Sequence, residues 1–293
     1  MSNTKSPEYE KAETYTRLSV PPGAPKVILP KQMDEIVSIP LGFCPLGISN
    51  YGGLQFLVAH YWSPAILAVK FSELPDGGGL ELVRKDCINW VELEDGSGKV
   101  RIFPEMTPGS DGNRIQCALL SPNGEIWATR NGEIDHIWRL ASDHKGGWRL
   151  LSPLKVRGVG YIESMVMLDD HLLVLRSKQD GTDVWVENYD TDTLDTNNLF
   201  LTDIYHDDVV PQSPWIYGIG VKDGELYFIT SISNNVIPRG IYHYDELVVP
   251  GVWGTGLVFA ADGSAIVTQY NADAGPLGEP SAIVRVPAGA FLP

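Results

Sequence analysis

The chain is short of basic residues. Its 293 residues include 22 Lys and Arg against 37 Asp and Glu, which gives a formal net charge of -15 and a pI near 4.7. Binding to a nucleic-acid backbone draws most of its energy from clustered Lys and Arg. We therefore expect no nucleic-acid partner.

Long apolar runs are also lacking. No segment approaches the roughly 20 apolar residues that a membrane-spanning helix needs, so we expect no membrane span. Residues 1–20 are polar and charged and have no apolar core of a secretory signal, so they predict a flexible N-terminal arm. This predicts a cytoplasmic location for the chain as written. It leaves open a secreted mature form whose signal peptide has been removed.

Cysteine is scarce. Cys44, Cys87 and Cys117 are odd in number and are not spaced as zinc ligands. They indicate neither a disulfide framework nor a zinc site, and we expect buried small apolar side chains in a reducing compartment. Helical periodicity is missing too, because no apolar pattern with a period near 3.6 residues continues beyond two turns. The chain is predicted to be all-β.

One pattern occurs five times along the chain. It is clearest in residues 215–245, where a small residue, Gly218, precedes the turn Asp223-Gly224 by five positions. Asp-Gly between apolar runs predicts a β-hairpin, because both turn positions need a positive φ. The other copies place their small residue and turn at Gly47 and Gly52-Gly53, Ala118 and Asn123-Gly124, Ser164 and Asp169-Asp170, and Gly256 and Asp262-Gly263. Each turn is followed by two more apolar strands.

Repeats of roughly 40 to 50 residues with about four strands each are typical of a β-propeller. We predict a single propeller over residues 21–293, in which the small residues let the innermost strands approach the axis. Five blades are clear, over residues 43–84, 114–154, 161–204, 215–249 and 253–287.

Two features of the propeller stay open at this point. Segment 86–112 makes a sixth blade if it is a degenerate repeat, which we favour, and leaves five blades if it is an elaborated outer hairpin. The last repeat runs out after its third strand. We predict that residues 26–29 supply the missing outer strand and close the propeller.

Three stretches resemble a known group of propellers. They are similar to inner-blade signatures of the gluconolactonase-like and strictosidine-synthase-like families, and they read RIQCALLSPNGEIWATRNG, SPWIYGIGVKDGELYFITSISNNVIPRGIYHYD and GTGLVFAADGSAIVTQ. The resemblance covers about half of the chain. In the lactonases a Glu, two Asn and an Asp hold one divalent cation at the mouth of the central channel. The resemblance therefore implies a cation site at the matching positions.

The metal ligands of that family are not kept in this sequence. The positions that match its ligand patterns hold Phe43 or Cys44, Gln116 and Cys117, Tyr217, and Thr255. A hard cation such as calcium needs several oxygen ligands. We therefore predict no metal and no other cofactor.

The predicted channel mouth is mostly aromatic and neutral. Such a surface suits a small organic substrate oriented by a few polar groups. The predicted substrate-binding residues are Phe43, Leu46, Cys117, Tyr161, Trp215 and Trp253, and the predicted catalytic residues are Glu163, Tyr217, Gln116 and Thr255. Packing between blades is the alternative role of the Trp and Tyr residues.

Glu163 is the single carboxylate of this set. Desolvation in an apolar mouth raises the pKa of a carboxyl, which suits a general acid. A position in a solvent-facing loop is the alternative for this residue. Gln116, Tyr217 and Thr255 are predicted to donate hydrogen bonds to a substrate carbonyl.

These features favour a metal-independent enzyme of specialised metabolism that catalyses cyclisation, condensation or a cycloaddition of the hetero-Diels–Alder type. The resemblance to strictosidine-synthase-like propellers implies condensation with an acidic residue. A likeness to some fungal biosynthetic propellers implies cycloaddition driven by proximity and orientation. A lactone or ester hydrolase and a non-enzymatic propeller that binds glycan or protein are the alternatives. The oligomeric state stays open.

Overall fold

The computed structural model describes fifteen segments of the chain: residues 37–40, 45–60, 66–73, 80–88, 90–93, 99–101, 115–143, 147–156, 158–178, 183–191, 199–205, 210–211, 216–231, 237–269 and 281–291. Within these segments the chain forms 22 β-strands and one 3-10 helix, Ala288–Phe291. No helix in them is long and apolar enough to cross a membrane. The prediction of an all-β chain is confirmed.

The strands, numbered along the chain, group into blades. The outer strand of the last blade is β1 (Val37–Pro40). Blade 1 consists of β2 (Pro45–Gly52), β3 (Gln55–His60), β4 (Ile66–Glu73) and β5 (Leu80–Ile88). Blade 2 consists of β6 (Trp90–Leu93), β7 (Lys99–Arg101), β8 (Ile115–Leu120), β9 (Ile126–Arg130), β10 (His136–Ser142) and β11 (Trp148–Lys155).

The other three blades have four strands each. Blade 3 consists of β12 (Tyr161–Leu168), β13 (His171–Ser177), β14 (Val184–Asp190) and β15 (Phe200–Tyr205). Blade 4 consists of β16 (Ile216–Lys222), β17 (Glu225–Thr230), β18 (Gly240–His243) and β19 (Glu246–Pro250). Blade 5 consists of β20 (Gly256–Phe259), β21 (Ala265–Gln269), β22 (Ala282–Val286) and β1.

The described residues of segment 86–112 form the end of β5 and a hairpin, and not a blade of their own. Strands β6 and β7 pair with each other, and β6 runs parallel to β11, with Glu92 opposite Arg149. The hairpin therefore extends the outer edge of blade 2. In the described part of the chain the strands form five sheets, so the alternative of five blades holds and the preference for six does not.

The outer strand of blade 5 comes from the N-terminal part of the chain. β1 pairs antiparallel with β22, with Val37 opposite Arg285 and Pro40 opposite Ala282. The segment predicted for this place, residues 26–29, lies outside the described residues. Residues 37–40 therefore occupy the edge that the last repeat leaves without a strand of its own.

The core lies between the blades. The innermost strands β2, β8, β12, β16 and β20 contact one another in a closed cycle. Among the described residues the buried apolar side chains form five clusters, and each cluster is shared by two neighbouring blades. A strand buried on both faces needs a nearly continuous apolar run, as in residues 56–59, which are fully buried.

The repeated small residues lie where innermost strands meet. A Cβ on Gly218 would stand 3.0 Å from the Cα of Gly256, and a Cβ on Gly256 would stand 2.7 Å from the backbone nitrogen of Ile48. The predicted hairpin turn also has the expected backbone, since Asp223 and Gly224 have φ of 54° and 83°. Both local predictions are confirmed at residues 218–224, whereas in the turns Asn123-Gly124 and Asp262-Gly263 only the glycine has a positive φ.

Candidate functional site

The innermost strands begin at one end of the channel, and we call this end the mouth. The first residues of neighbouring strands contact one another, since a Cβ on Gly47 would meet Cys117 and Gln116 donates to Glu163. Because neighbouring strands of a blade are antiparallel, the second strands β9, β13, β17 and β21 end at the mouth. Side chains from both sets of strands therefore meet there.

A β-bulge marks the start of the innermost strand in blades 2, 3 and 4. In each, one residue lies between two paired residues without a partner of its own, and these residues are Gln116, Glu163 and Tyr217. Bulges re-aim side chains and are frequent beside active sites. Three of the four predicted catalytic residues thus hold equivalent positions in successive blades.

Glu163 and Gln116 form the centre of a buried polar network. Both are less than a tenth exposed. The Gln116 amide donates from Nε2 to Glu163 Oε2 at 3.0 Å and to the Glu163 backbone carbonyl at 3.2 Å. Ser177 Oγ donates to Glu163 Oε1 at 2.5 Å, and Asn131 Nδ2 donates to Gln116 Oε1 at 2.8 Å. Each polar atom of the two central side chains has a partner.

Burial shifts the pKa of the Glu163 carboxyl toward neutral pH. Burial disfavours its charged form and raises its pKa from 4.5 to about 7, although the hydrogen bond from Ser177 acts in the opposite direction. A group with a pKa near the working pH can both give and accept a proton at useful rates. Burial at the mouth also answers the alternative of a solvent-facing loop, since Glu163 is 8% exposed.

Thr255 serves the junction between the last and the first blade. Its hydroxyl lies 3.2 Å from the carbonyl oxygen of Leu46 and 3.4 Å from that of Pro45. The hydroxyl of Thr268 donates to the same Leu46 carbonyl. A hydroxyl has one proton to donate, and here it is directed to main-chain oxygens. The structure therefore gives Thr255 and Leu46 a place in blade-to-blade contact.

The other predicted site residues differ in accessibility. Cys117 is buried beside Thr129, with 3.1 Å between the sulfur and the hydroxyl oxygen, and burial raises the pKa of its thiol to about 12. Trp253 is 4% exposed and packs within the protein, whereas Tyr161 and Tyr217 are half-buried. Phe43 and Trp215 lie outside the described residues.

The described residues that begin the innermost strands do not fit the divalent cation of the lactonases. Glu163 is the only carboxylate among them, and both of its oxygens already accept hydrogen bonds. Calcium takes six to eight oxygen ligands, several of them carboxylates. This donor set offers too few.

Sequence reasoning missed Asn131 and Ser177. Each follows or ends the second strand of its blade, beside the bulged residue of the first, which it contacts through a hydrogen bond. The signal was a polar residue at the end of an apolar strand, 15 residues after Gln116 and 14 after Glu163. A recurring spacing of this kind could have identified both.

Two further polar groups lie away from the axis. Glu133, Asp135 and His136 bring their ligand atoms within 4.8 Å of one another, but Glu133 is already paired with Arg130 at 2.8 Å. In blade 3, Arg176 is fully buried and forms an ion pair with Glu187. Its guanidinium also donates to the carbonyls of Ile134 and Gly160, at 2.7 and 2.8 Å, and so ties blade 2 to blade 3.

A groove of about 980 Å³ lies between blades 2 and 3. Trp185 and Leu201 line it, and Val159 at its side is 90% exposed. Its charged and titratable lining residues are Asp135, His136, Lys155, Lys178, Asp183 and Glu187. The sequence repeat does not predict this groove, because its walls come from loops and strands of two different blades.

Comparison with known proteins gives distant structural similarities. No protein-family model and no curated protein matches the chain. Among solved structures, the PQQ-bound aldose sugar dehydrogenase of Streptomyces coelicolor is 13% identical with a TM-score of 0.44, over 86% of this chain and 98% of that one. A putative 6-phosphogluconolactonase of Bacteroides uniformis is 11% identical with a TM-score of 0.43, over 80% and 90%.

The Trypanosoma rangeli sialidase, in complex with the inhibitor DANA, is 10% identical with a TM-score of 0.40. The match covers 82% of this chain and 44% of the sialidase, so the chain spans less than half of that protein's length. Similarities at this level assign no activity to this chain.

Proposed function

We propose that this propeller is a metal-independent enzyme that transfers a proton to and from a small organic substrate at the channel mouth. One observation carries the proposal: Glu163 is a nearly buried carboxyl at the mouth whose pKa is raised to about 7. Perturbed carboxyls in such positions are typical of general acids and bases. Gln116 holds this carboxyl from the neighbouring blade.

The reaction class that suits this site is a condensation or a cyclisation. Both reactions need a proton to be added to one atom and removed from another, and a single carboxyl that titrates near pH 7 can do both. Tyr217 holds the equivalent bulged position in the next blade and is half-buried, so its phenol is the candidate donor to a substrate oxygen. A cycloaddition by proximity alone would leave the raised pKa of Glu163 without a role.

The test is turnover by the purified protein with three substrate classes: aldehyde and amine pairs, linear precursors with an internal nucleophile, and lactones. We expect turnover in one of the first two classes and an inflection near pH 7 in its pH profile. E163Q keeps the shape of the side chain and removes the titrating group, so it should lower kcat by at least about 100-fold. Addition of EDTA should change neither the wild-type rate nor the E163Q rate.

Two outcomes would contradict the proposal. Turnover that EDTA abolishes and E163Q retains would indicate a metal-dependent hydrolase. Saturable binding of a glycan or a protein at the mouth, unaffected by E163Q and without turnover in any class, would indicate a binding propeller.

A further inference from the structure

The hydrogen bonds around Glu163 have a fixed direction. The backbone carbonyl of Glu163 can only accept, and it lies 3.2 Å from one terminal atom of the Gln116 side chain. That atom must therefore be the amide nitrogen Nε2 and not the oxygen. The opposite orientation of the Gln116 amide would set two oxygens against each other.

Asn131 agrees with this orientation. With Nε2 of Gln116 facing Glu163, its Oε1 faces Asn131, and Asn131 Nδ2 donates to it at 2.8 Å. The amide of Gln116 is thus held from both ends. It presents an N–H donor to Glu163 Oε2 at 3.0 Å.

The neutral carboxyl of Glu163 must fit the same contacts. Its Oε2 faces an N–H group, so a proton on Oε2 would point at a donor. Its Oε1 faces the hydroxyl of Ser177 at 2.5 Å, and a hydroxyl can either donate or accept. Ser177 can therefore donate to the ionised carboxylate and accept from the neutral acid without any movement of heavy atoms.

We propose that Ser177 is the positioning residue of this acid: it holds the proton of neutral Glu163 on Oε1, so that Oε1 is the oxygen that gives this proton to the substrate and takes a proton back from it. This inference rests on the proposed function for its catalytic meaning, because it names the oxygen from which the proton is transferred. The position of the proton itself can be measured without substrate.

Few other ionisable groups of the described residues bear on this proton. On β8 the nearest one is the thiol of Cys117, which burial keeps neutral. On β13 the guanidinium of Arg176 is directed to Glu187. The phenol of Tyr217 is carried by β16, which packs against β12. Glu133, whose backbone oxygen accepts from the Ile162 amide, directs its carboxylate to Arg130.

The experiment follows the Glu163 side chain in the purified full chain labelled with ¹³C-glutamate. Infrared difference spectra between wild type and E163Q isolate the C=O stretching band of the neutral carboxyl and its titration. Because Oε2 is the C=O oxygen in this scheme, Q116L should shift that band to higher frequency by removing its donor. S177A should leave the C=O band nearly in place.

S177A should also move the titration. Ser177 bonds both forms of the carboxyl, but its bond to the ionised carboxylate is charge-assisted and stronger than its bond to the neutral acid. Its loss should therefore raise the midpoint by about one pH unit above that of wild type. S164A is the matched control. Ser164 is a buried serine next to Glu163 in the chain. S164A should leave both the band and the midpoint unchanged, and S177T should restore the wild-type midpoint.

The outcomes separate the inference from the proposed function. A C=O band that moves in S177A and not in Q116L would put the proton on Oε2 and overturn the inference. A midpoint equal in S177A and S164A would overturn it as well. If the band and midpoint behave as expected but E163Q retains full turnover, the proton position holds and the proposed function fails. If E163Q loses turnover while S177A titrates as wild type, the function holds and the role of Ser177 fails. Where S177A does not fold, the Q116L band decides, and a C=O band that stays in place in Q116L would overturn the inference.

Discussion

Glu163 is a residue whose local chemistry changes with burial. A carboxyl next to water has a pKa near 4.5, and the nearly complete desolvation of Glu163 raises it to about 7. Gln116 and Ser177 offset part of the cost of burial, because each donates a hydrogen bond to one carboxyl oxygen of Glu163. Burial of a carboxyl therefore links the stability of this protein to pH.

We expect the stability difference between E163Q and wild type to depend on pH. The folded state binds the Glu163 proton more tightly than the unfolded state does, so this contribution is fully present below pH 4.5 and is lost as pH rises through about 7. E163Q has no such term. Between those two pH values E163Q should gain about 3 kcal/mol relative to wild type. Urea unfolding at several pH values measures this, and a pH-independent difference would contradict it.

Arg176 is a residue with a structural role of a different kind. Its side chain is fully buried, and Glu187 is its counter-charge. Glu187 also accepts from Trp185 and, at 2.5 Å, from Tyr189. Removing one partner of a buried ion pair leaves an uncompensated charge in the interior.

E187Q should therefore destabilise the protein by about 3 kcal/mol. The matched control is D183N, because Asp183 pairs with Lys178 at 2.6 Å on the same blade but both side chains are more than a third exposed. An exposed pair contributes little, so D183N should change the free energy of unfolding by about 0.5 kcal/mol or less. Denaturant unfolding of both variants tests the pair. Equal effects would mean that burial does not decide the strength of these contacts.

At the scale of the element, the innermost strand explains the repeat. The innermost strands of neighbouring blades approach one another closely. In blades 1, 4 and 5 a glycine lies at the closest approach, and there is no room for a Cβ. A β-bulge at the start of the strand then takes Glu163, Gln116 and Tyr217 out of the regular alternation of side chains between the two faces of the sheet. The close contacts and the site therefore both lie at the start of the innermost strands.

G256A should destabilise the propeller by at least about 2 kcal/mol, because its new methyl group would lie 2.7 Å from the Ile48 nitrogen and 2.9 Å from the Leu46 oxygen. G289A is the control, since a Cβ at Gly289 meets nothing within 4 Å. Thermal unfolding should show a clear fall in Tm for G256A and none for G289A. A fall of similar size in both would show that loss of glycine, and not crowding at the axis, is responsible.

At the scale of the whole molecule, the closed ring depends on the two ends of the chain meeting. Blade 5 takes β1 as its outer strand, and Thr255 and Thr268 bond to the Leu46 carbonyl of blade 1. The β1–β22 pairing completes the outer edge of blade 5, and the threonine contacts join blades 5 and 1 beside the axis. Both join segments that are more than 200 residues apart.

Two truncations separate the contributions at this junction. Deletion of residues 1–30 removes the segment 26–29 and keeps β1, whereas deletion of residues 1–41 removes β1 as well. Because β1 adds a four-residue strand to β22, its loss should cost about 3 kcal/mol in hydrogen bonds. We expect a much lower Tm for the longer deletion than for the shorter one. If the shorter deletion already has the full effect, residues 26–29 contribute to closure as the sequence predicted.

The sequence alone determined what depends on neighbouring residues. The turn at Asp223-Gly224 needs positive φ, and the small residues mark a close approach of strands. Apolar runs that are buried on both faces can be identified without knowing which strands they pair with. These local rules predicted an all-β propeller and the five clear blades. They do so because period, φ and side-chain size are properties of short stretches of chain.

Only the tertiary structure decided which strands pair across long separations. β6 adds to β11 and so becomes part of blade 2, and residues 37–40 occupy the outer edge of blade 5. Ser177 and Gln116 meet at Glu163 from two strands of different blades. Hairpin and edge pairings of similar hydrogen-bonding capacity compete for such places, and the packing of the whole ring selects among them. The blade count and the surroundings of the acid are set at that level.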